Sequence, residues 1–288
     1  MSCHSALLPV SSNSILIGFT TDQNRVPAHP RIVPVRIFED PSLGVHKISH
    51  PNVLQHRTIA IDGRLAWEAL YPQGSINPSG ALKGGFGFYV AGPKAFADAL
   101  DEYAREIVLG YEVLFESGFS WAKGGKLPGL YGGVGDKAYG CTGGRKAHRC
   151  QCFNLRFMWR ANGEGELYTY LPQTDVNLER LRTVPGAHES SDYGFSLGRG
   201  AWGFNSGRWM SLGIRLRLND VGFQNGEIEA FIDGRSVLLV DRLVLREDHS
   251  ARIRGAHFQT FFGGHTPDWA SPRDQKSWFA SLSGAVVK

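Results

Sequence analysis

With 288 residues, 36 of them glycine, and charged side chains at only 20%, the chain is long enough for a large core and poor in helix-filling residues. That favours strands and turns. A formal charge of +4, spread without a Lys/Arg tract, gives no nucleic-acid-binding signature and suits an acidic polymer drawn in by unlike charge, though it also tolerates a neutral substrate. No run of about 18 apolar residues occurs, which excludes a spanning helix.

The start, Met1-Ser2-Cys3-His4-Ser5, lacks the basic and apolar regions of a secretory leader, so either a leader has been removed or the chain is not exported by that route. Residues 1–30, with Pro27 and Pro30 and little periodicity, are expected to be a loosely packed extension whose apolar run 14–19 adds an edge strand. Short strands are expected at 35–38, 58–61 and 86–90. A helix is predicted over 93–105, with a proline near its first position. Residues 106–116 read as a long strand, its later part alternating Tyr111, Val113 and Phe115 against Glu112, Leu114 and Glu116.

The stretch 118–133 reads as a glycine-rich loop without the order of a P-loop. Cys141, Cys150 and Cys152 follow it closely, with no second ligand pair for zinc. The expected use is a disulfide from Cys141 to Cys152 or to Cys150, the first pairing preferred. Free thiols in a reducing compartment are the alternative, and Cys3 is available to the cysteine left over.

Residues 152–172 read as strand, turn and strand. Phe153, Leu155, Phe157 and Trp159 share one face, and Asn154, Arg156, Met158 and Arg160 the other. A loop with an odd number of residues centred on Asn162 sets Arg156 opposite Tyr168 and Asn154 opposite Tyr170, so that all four converge. A strict two-residue Asn162-Gly163 turn shifts the register by one and turns the tyrosines away, unless a bulge restores it.

In 209–219 the apolar residues Met210, Leu212, Ile214, Leu216 and Leu218 alternate with polar ones that include Arg215 and Arg217. Arg215 stands either on a solvated outer face or in a substrate groove. Strands at 227–232 and 236–240, joined by an Asp233-Gly234 turn, and at 257–262 complete the series. The expected fold is all-β, a β-jelly roll sandwich of two antiparallel sheets with one or a few short helices, forming one domain over 1–288. Glu227 and Glu229 superficially fit the carboxylate pair of a glycosidase, but no hydrolase motif frames them. Trp202 and Trp209 are expected in the core.

Three blocks in order, GFSWAKGGKLPGLYGG (118–133), NLRFMWRANGEGELYTYLP (154–172) and FQTFFGGHTPDWASPRD (258–274), together resemble polysaccharide lyase family 14, the alginate and glucuronate lyases. The resemblance runs from Glu106 to the C terminus. It implies a jelly roll with a cleft on its concave face, and its functional residues fall on Lys126, Arg156, Tyr168 and Tyr170. Where the family often has serine, this chain has Asn154.

The implied reaction is β-elimination, in which the proton on C5 of a uronic acid leaves and the C4 oxygen is expelled, with no metal or organic cofactor. Such a site must neutralise the substrate carboxylate, for which the guanidinium fork of Arg156 and the amide of Asn154 are suited. Lys126, Tyr168 and Tyr170 are the expected catalytic residues: a tyrosine whose pKa is lowered by neighbouring cations either takes the C5 proton or returns one to the leaving oxygen, and Lys126 either lowers that pKa, binds a carboxylate or itself transfers a proton. Asn154, Arg156, His257 and Arg215 are the expected substrate-binding residues. The partner is expected to be an acidic polysaccharide, glucuronan first and mannuronate-rich alginate next, cut by an extracellular monomer that engages neither nucleic acid nor membrane. The alternative is a jelly-roll module that holds acidic glycans without turning them over.

Overall fold

The computed structural model describes residues 5–36, 38–145, 147–190 and 194–288. Period-two alternation of apolar side chains sets most of its strands. In chain order these are β1 (Ile15–Thr20), β2 (Ile32–Pro34), β3 (Val45–His46), β4 (Arg57–Ile61), β5 (Arg64–Tyr71) and β6 (Phe86–Val90), followed by helix α1 (Lys94–Glu102). Next come β7 (Glu106–Phe115), β8 (Gly124–Val134), β9 (Cys152–Arg160) and β10 (Gly165–Tyr170). Helix α2 (Asp175–Arg182) then leads to β11 (His188–Glu189) and β12 (Phe195–Leu197). The last strands are β13 (Trp209–Arg217), β14 (Gly226–Ile232), β15 (Arg235–Leu243), β16 (Ala251–Phe262) and β17 (Gln275–Val287).

These strands form two stacked sheets, the jelly-roll sandwich expected from the sequence. One runs β15-β14-β13-β7-β17-β1-β2, with β5 and β4 branching from β17. The other runs β11-β12-β10-β9-β8-β16-β6-β3. Between them lies a core rich in aromatic rings. Tyr111 and Phe115 of β7 meet Phe258 of β16 and Trp159 of β9 with ring centroids 5.4 and 5.8 Å apart. Each such buried ring contributes about 1.5–3 kcal/mol through lost contact with water, which fixes which face of the second sheet is left for function.

Several expectations change. Within residues 5–30 the chain is not loosely packed throughout: Leu7 and Leu8 are buried, and a Cβ on Gly110 of β7 would lie 2.0 Å from the Leu7 carbonyl oxygen. The glycine admits the chain across the outer face of β7, and that cover explains why every residue of β7 is buried. β1 is not an edge strand either, since it pairs with both β17 and β2. The strand expected at 35–38 is replaced by β2, which ends at Pro34; Ile37 lies outside the described residues. The glycine-rich stretch is largely β8, not a loop. There a Cβ on Gly125 would strike the Trp159 ring at 2.0 Å, so glycine makes room for a core aromatic rather than for a turn.

Candidate active site

The outward side chains of β8, β9, β10 and β16 open onto one cleft of about 890 Å³. The β9–β10 hairpin sets its geometry. Asn162 and Gly163 take left-handed φ angles of 60° and 78°, a conformation that asparagine and glycine adopt most readily. The resulting register is the one a loop centred on Asn162 gives, with Tyr168 opposite Arg156 and Tyr170 opposite Asn154. Tyr168 and Tyr170 stand edge to face, 5.4 Å between ring centroids.

Lys126 enters from β8, opposite Met158. Just beyond it the β8–β9 register shifts between Lys126 and Gly129, and this irregularity lets Pro128 sit in a central strand without breaking the ladder. The Tyr111 hydroxyl donates to the Pro128 carbonyl at 3.0 Å and pins the bulge from the core side. The ammonium nitrogen of Lys126 reaches the Met158 sulfur and lies 3.7 Å from the centroid of the Tyr168 ring.

Charge decides what this cluster can do. Arg156 is only 2% exposed. Its Nη1 donates to Gln259 Oε1 at 2.8 Å and its Nη2 to Thr142 Oγ1 at 3.4 Å, while its Nε has no partner. Among the described residues no carboxylate lies within ion-pair distance of it. Burying a cation without a counter-ion is costly, which makes Arg156 a candidate to hold an anion. Burial, and then the charge of Arg156, hold the Lys126 amine well below the ordinary lysine value.

Tyr168 runs against the sequence-based argument. Burial raises its pKa, with Tyr170 and Glu166 adding to the rise, and the nearby Arg160 does not compensate. The cations therefore do not make Tyr168 a phenolate; it stays a neutral proton donor.

His257, from β16, stacks on Tyr89 at 4.4 Å, and its Nδ1 accepts from Asn154 Nδ2 at 3.0 Å. Burial first, then Arg156 and Arg145, hold its pKa well below the ordinary 6.5. The unfolded chain takes up this proton near 6.5 and the folded chain does not, so folding stability falls as pH drops through that range, until the folded-state pKa is passed. His257→Gln is expected to flatten the fall in Tm between about pH 7.5 and about pH 5. An unchanged slope in thermal melts across that range would show that His257 does not contribute.

One wall of the cleft is the loop that carries Thr142 and Arg145. Its base is tied by a disulfide between Cys141 and Cys152, Cα atoms 5.7 Å apart. Cys150 is an exposed free thiol, and Cys3 lies outside the described residues.

Arg215 needs correction. It stands on β13 of the other sheet, where its guanidinium is bonded to Glu106, Glu227 and Glu229 at 2.5, 2.9 and 3.3 Å. Three carboxylates across adjacent strands hold it on the outer face, away from the cleft. The same contacts account for Glu227 and Glu229. Trp202 is buried in the core, and Trp209 hydrogen-bonds Asp62 and packs under Arg64.

Sequence reasoning passed over Gln259 and Trp269, both lining the cleft. Gln259 lies two residues from His257 on the same strand face, so period two alone could have found it. Trp269 comes from a short turn, Pro267–Trp269, where no periodicity gives a signal.

The sequence profile of the family described as Polysaccharide lyase 14 matches residues 61–282. A marine alginate lyase of that family from Aplysia kurodai shares 31% identity with this chain, with a TM-score of 0.72 over 85% of this chain and 91% of the other. An alginate lyase from a Chlorella virus shares the fold at 21% identity, with a TM-score of 0.65 over 85% and 93% of the two chains. No curated protein sequence matches the chain. With a profile spanning most of its length and a relative of that identity, the chain belongs to polysaccharide lyase family 14.

Proposed function

We propose that this lyase cleaves a 1,4-linked uronic-acid polymer by β-elimination in the cleft of the second sheet, working outside the cell as a monomer of one domain over 1–288. The observation that carries the reading is Arg156: a buried guanidinium, unpaired by any described carboxylate, beside an amine of lowered pKa and two phenols. In this reading the substrate carboxylate pairs with Arg156 and so stabilises the dianion that forms when C5 loses its proton. The neutral amine of Lys126 takes that proton. Electrons from the C5–H bond form the C4–C5 double bond, and the C4–O bond breaks. The neutral hydroxyl of Tyr168 protonates the departing oxygen. The proton on Lys126 then returns to the Tyr168 phenolate, whose ring it already overlies at 3.7 Å.

Hydrolysis fits the site poorly, since it needs two catalytic carboxylates flanking the bond. Among the described residues that line the cleft the one carboxylate is Glu189, tied to Arg182 at 2.8 and 3.1 Å; Glu166 is buried beneath the lining, beside two arginines. The named activity of the Aplysia kurodai relative puts alginate ahead of glucuronan as substrate. The disulfide supports the extracellular setting. The test is incubation with alginate and with polyglucuronate while ultraviolet absorbance reports the unsaturated uronate product. Absorbance is expected to rise with at least one polymer. Binding without any rise would leave an acidic-glycan-binding module.

A further inference from the structure

We propose that the end of the cleft bounded by Arg160, Arg199 and Trp269 is a second carboxylate-binding subsite, which holds a different uronate unit from the one at Arg156. The proposal rests on the lyase reading and extends it along the polymer.

Its basis is a charge imbalance. Glu166 of β10 is fully buried and accepts from Arg160 Nη2 at 2.6 Å, Arg199 Nε at 2.7 Å and Ser196 Oγ at 2.5 Å. Burial alone would raise its pKa, but Arg160, Ser196 and Arg199 outweigh that and keep it ionised. Among the described residues one carboxylate therefore serves two guanidiniums, and the cluster keeps a net positive charge. Both arginines reach the cleft, with side-chain exposures of 16% and 30%, and Arg160 Nε is buried without a partner.

The ring of Trp269 lies 5.9 Å from the Arg160 guanidinium and also lines the cleft. An aromatic face beside a cation matches a uronate unit, which presents an apolar ring face and a carboxylate together. Arg156 and Arg160 share one face of β9, four residues apart, so their Cα atoms lie about 13 Å apart. Their guanidiniums are held by different partners, Gln259 and Thr142 for Arg156 and Glu166 for Arg160, which suits them to different sugars of one polymer.

The experiment measures kcat/KM for a trimer and a hexamer of the preferred uronate with wild type, Arg199→Gln and Trp269→Leu. Arg199→Gln leaves Glu166 paired to Arg160 and Ser196, and Trp269→Leu removes no charged group, so one reads the subsite if the other misfolds. The hexamer-to-trimer ratio is expected to fall about tenfold in each variant, the effect of losing a charge-assisted or stacking contact. A ratio equal to that of wild type in both variants, or equal losses on trimer and hexamer, overturns the subsite. Inactivity of wild type on every uronate overturns the lyase reading instead. Calorimetric binding of the hexamer then decides the subsite, which predicts weaker binding by Arg199→Gln and is overturned by equal binding.

Discussion

Lys126→Met is expected to lower kcat by about 10²–10⁴-fold, the usual contribution of a positioned general base. Methionine keeps most of the length and apolar contact of the lysine and removes only the amine. That amine stands in an environment that favours losing its proton: burial disfavours the cation, and the adjacent Arg156 repels it. It also lies against the face of the Tyr168 ring, 3.7 Å from its centroid. Oligouronate binding by the variant should stay close to that of wild type, because in this account the neutral amine acts on C5 and not on the carboxylate. A variant with unimpaired turnover would move the base elsewhere. A variant that loses binding and turnover alike would make Lys126 a carboxylate ligand.

The second large effect is expected at Arg156. Arg156→Gln should cost about 10²–10³-fold in kcat, as when a donor to a developing oxyanion is removed. Arg156→Lys should recover little of it, because a point charge does not reproduce a planar donor fork. Stability should move the other way. Among the described residues the buried guanidinium has no counter-ion, so its removal relieves a desolvation cost, and Arg156→Gln should melt no lower than wild type. An arginine kept for structure predicts the opposite: a clear drop in Tm with activity falling only as the fold is lost. Parallel melts and rate measurements separate the two.

The parts of this site that were legible in the sequence are those set by local rules. Period two placed Asn154, Arg156, Met158 and Arg160 on one face of β9, and the Asn162-Gly163 pair marked the turn that decides the register. The position of Lys126 came from the family resemblance and not from pattern, because glycines hid β8 as a strand. Those glycines answer to tertiary neighbours such as Trp159, which a single sequence does not reveal. Arg215 shows the same limit. Alternation put it on a polar face, but only the pairing of β13 with β7 and β14 brings Glu106, Glu227 and Glu229 to it. The direction of the Tyr168 pKa also needed coordinates, since burial and cations oppose each other and only their distances decide which prevails.

The most direct test is the titration of the Lys126 amine, followed by NMR on selectively labelled lysine and set beside the pH profile of kcat/KM. A base with a depressed pKa predicts one midpoint well below the ordinary 10.5, shared by the amine and the acid limb of the rate, and raised in Arg156→Gln as the repelling charge is lost. An amine that titrates at the ordinary lysine value, or an acid limb that persists unchanged in Lys126→Met, would contradict it.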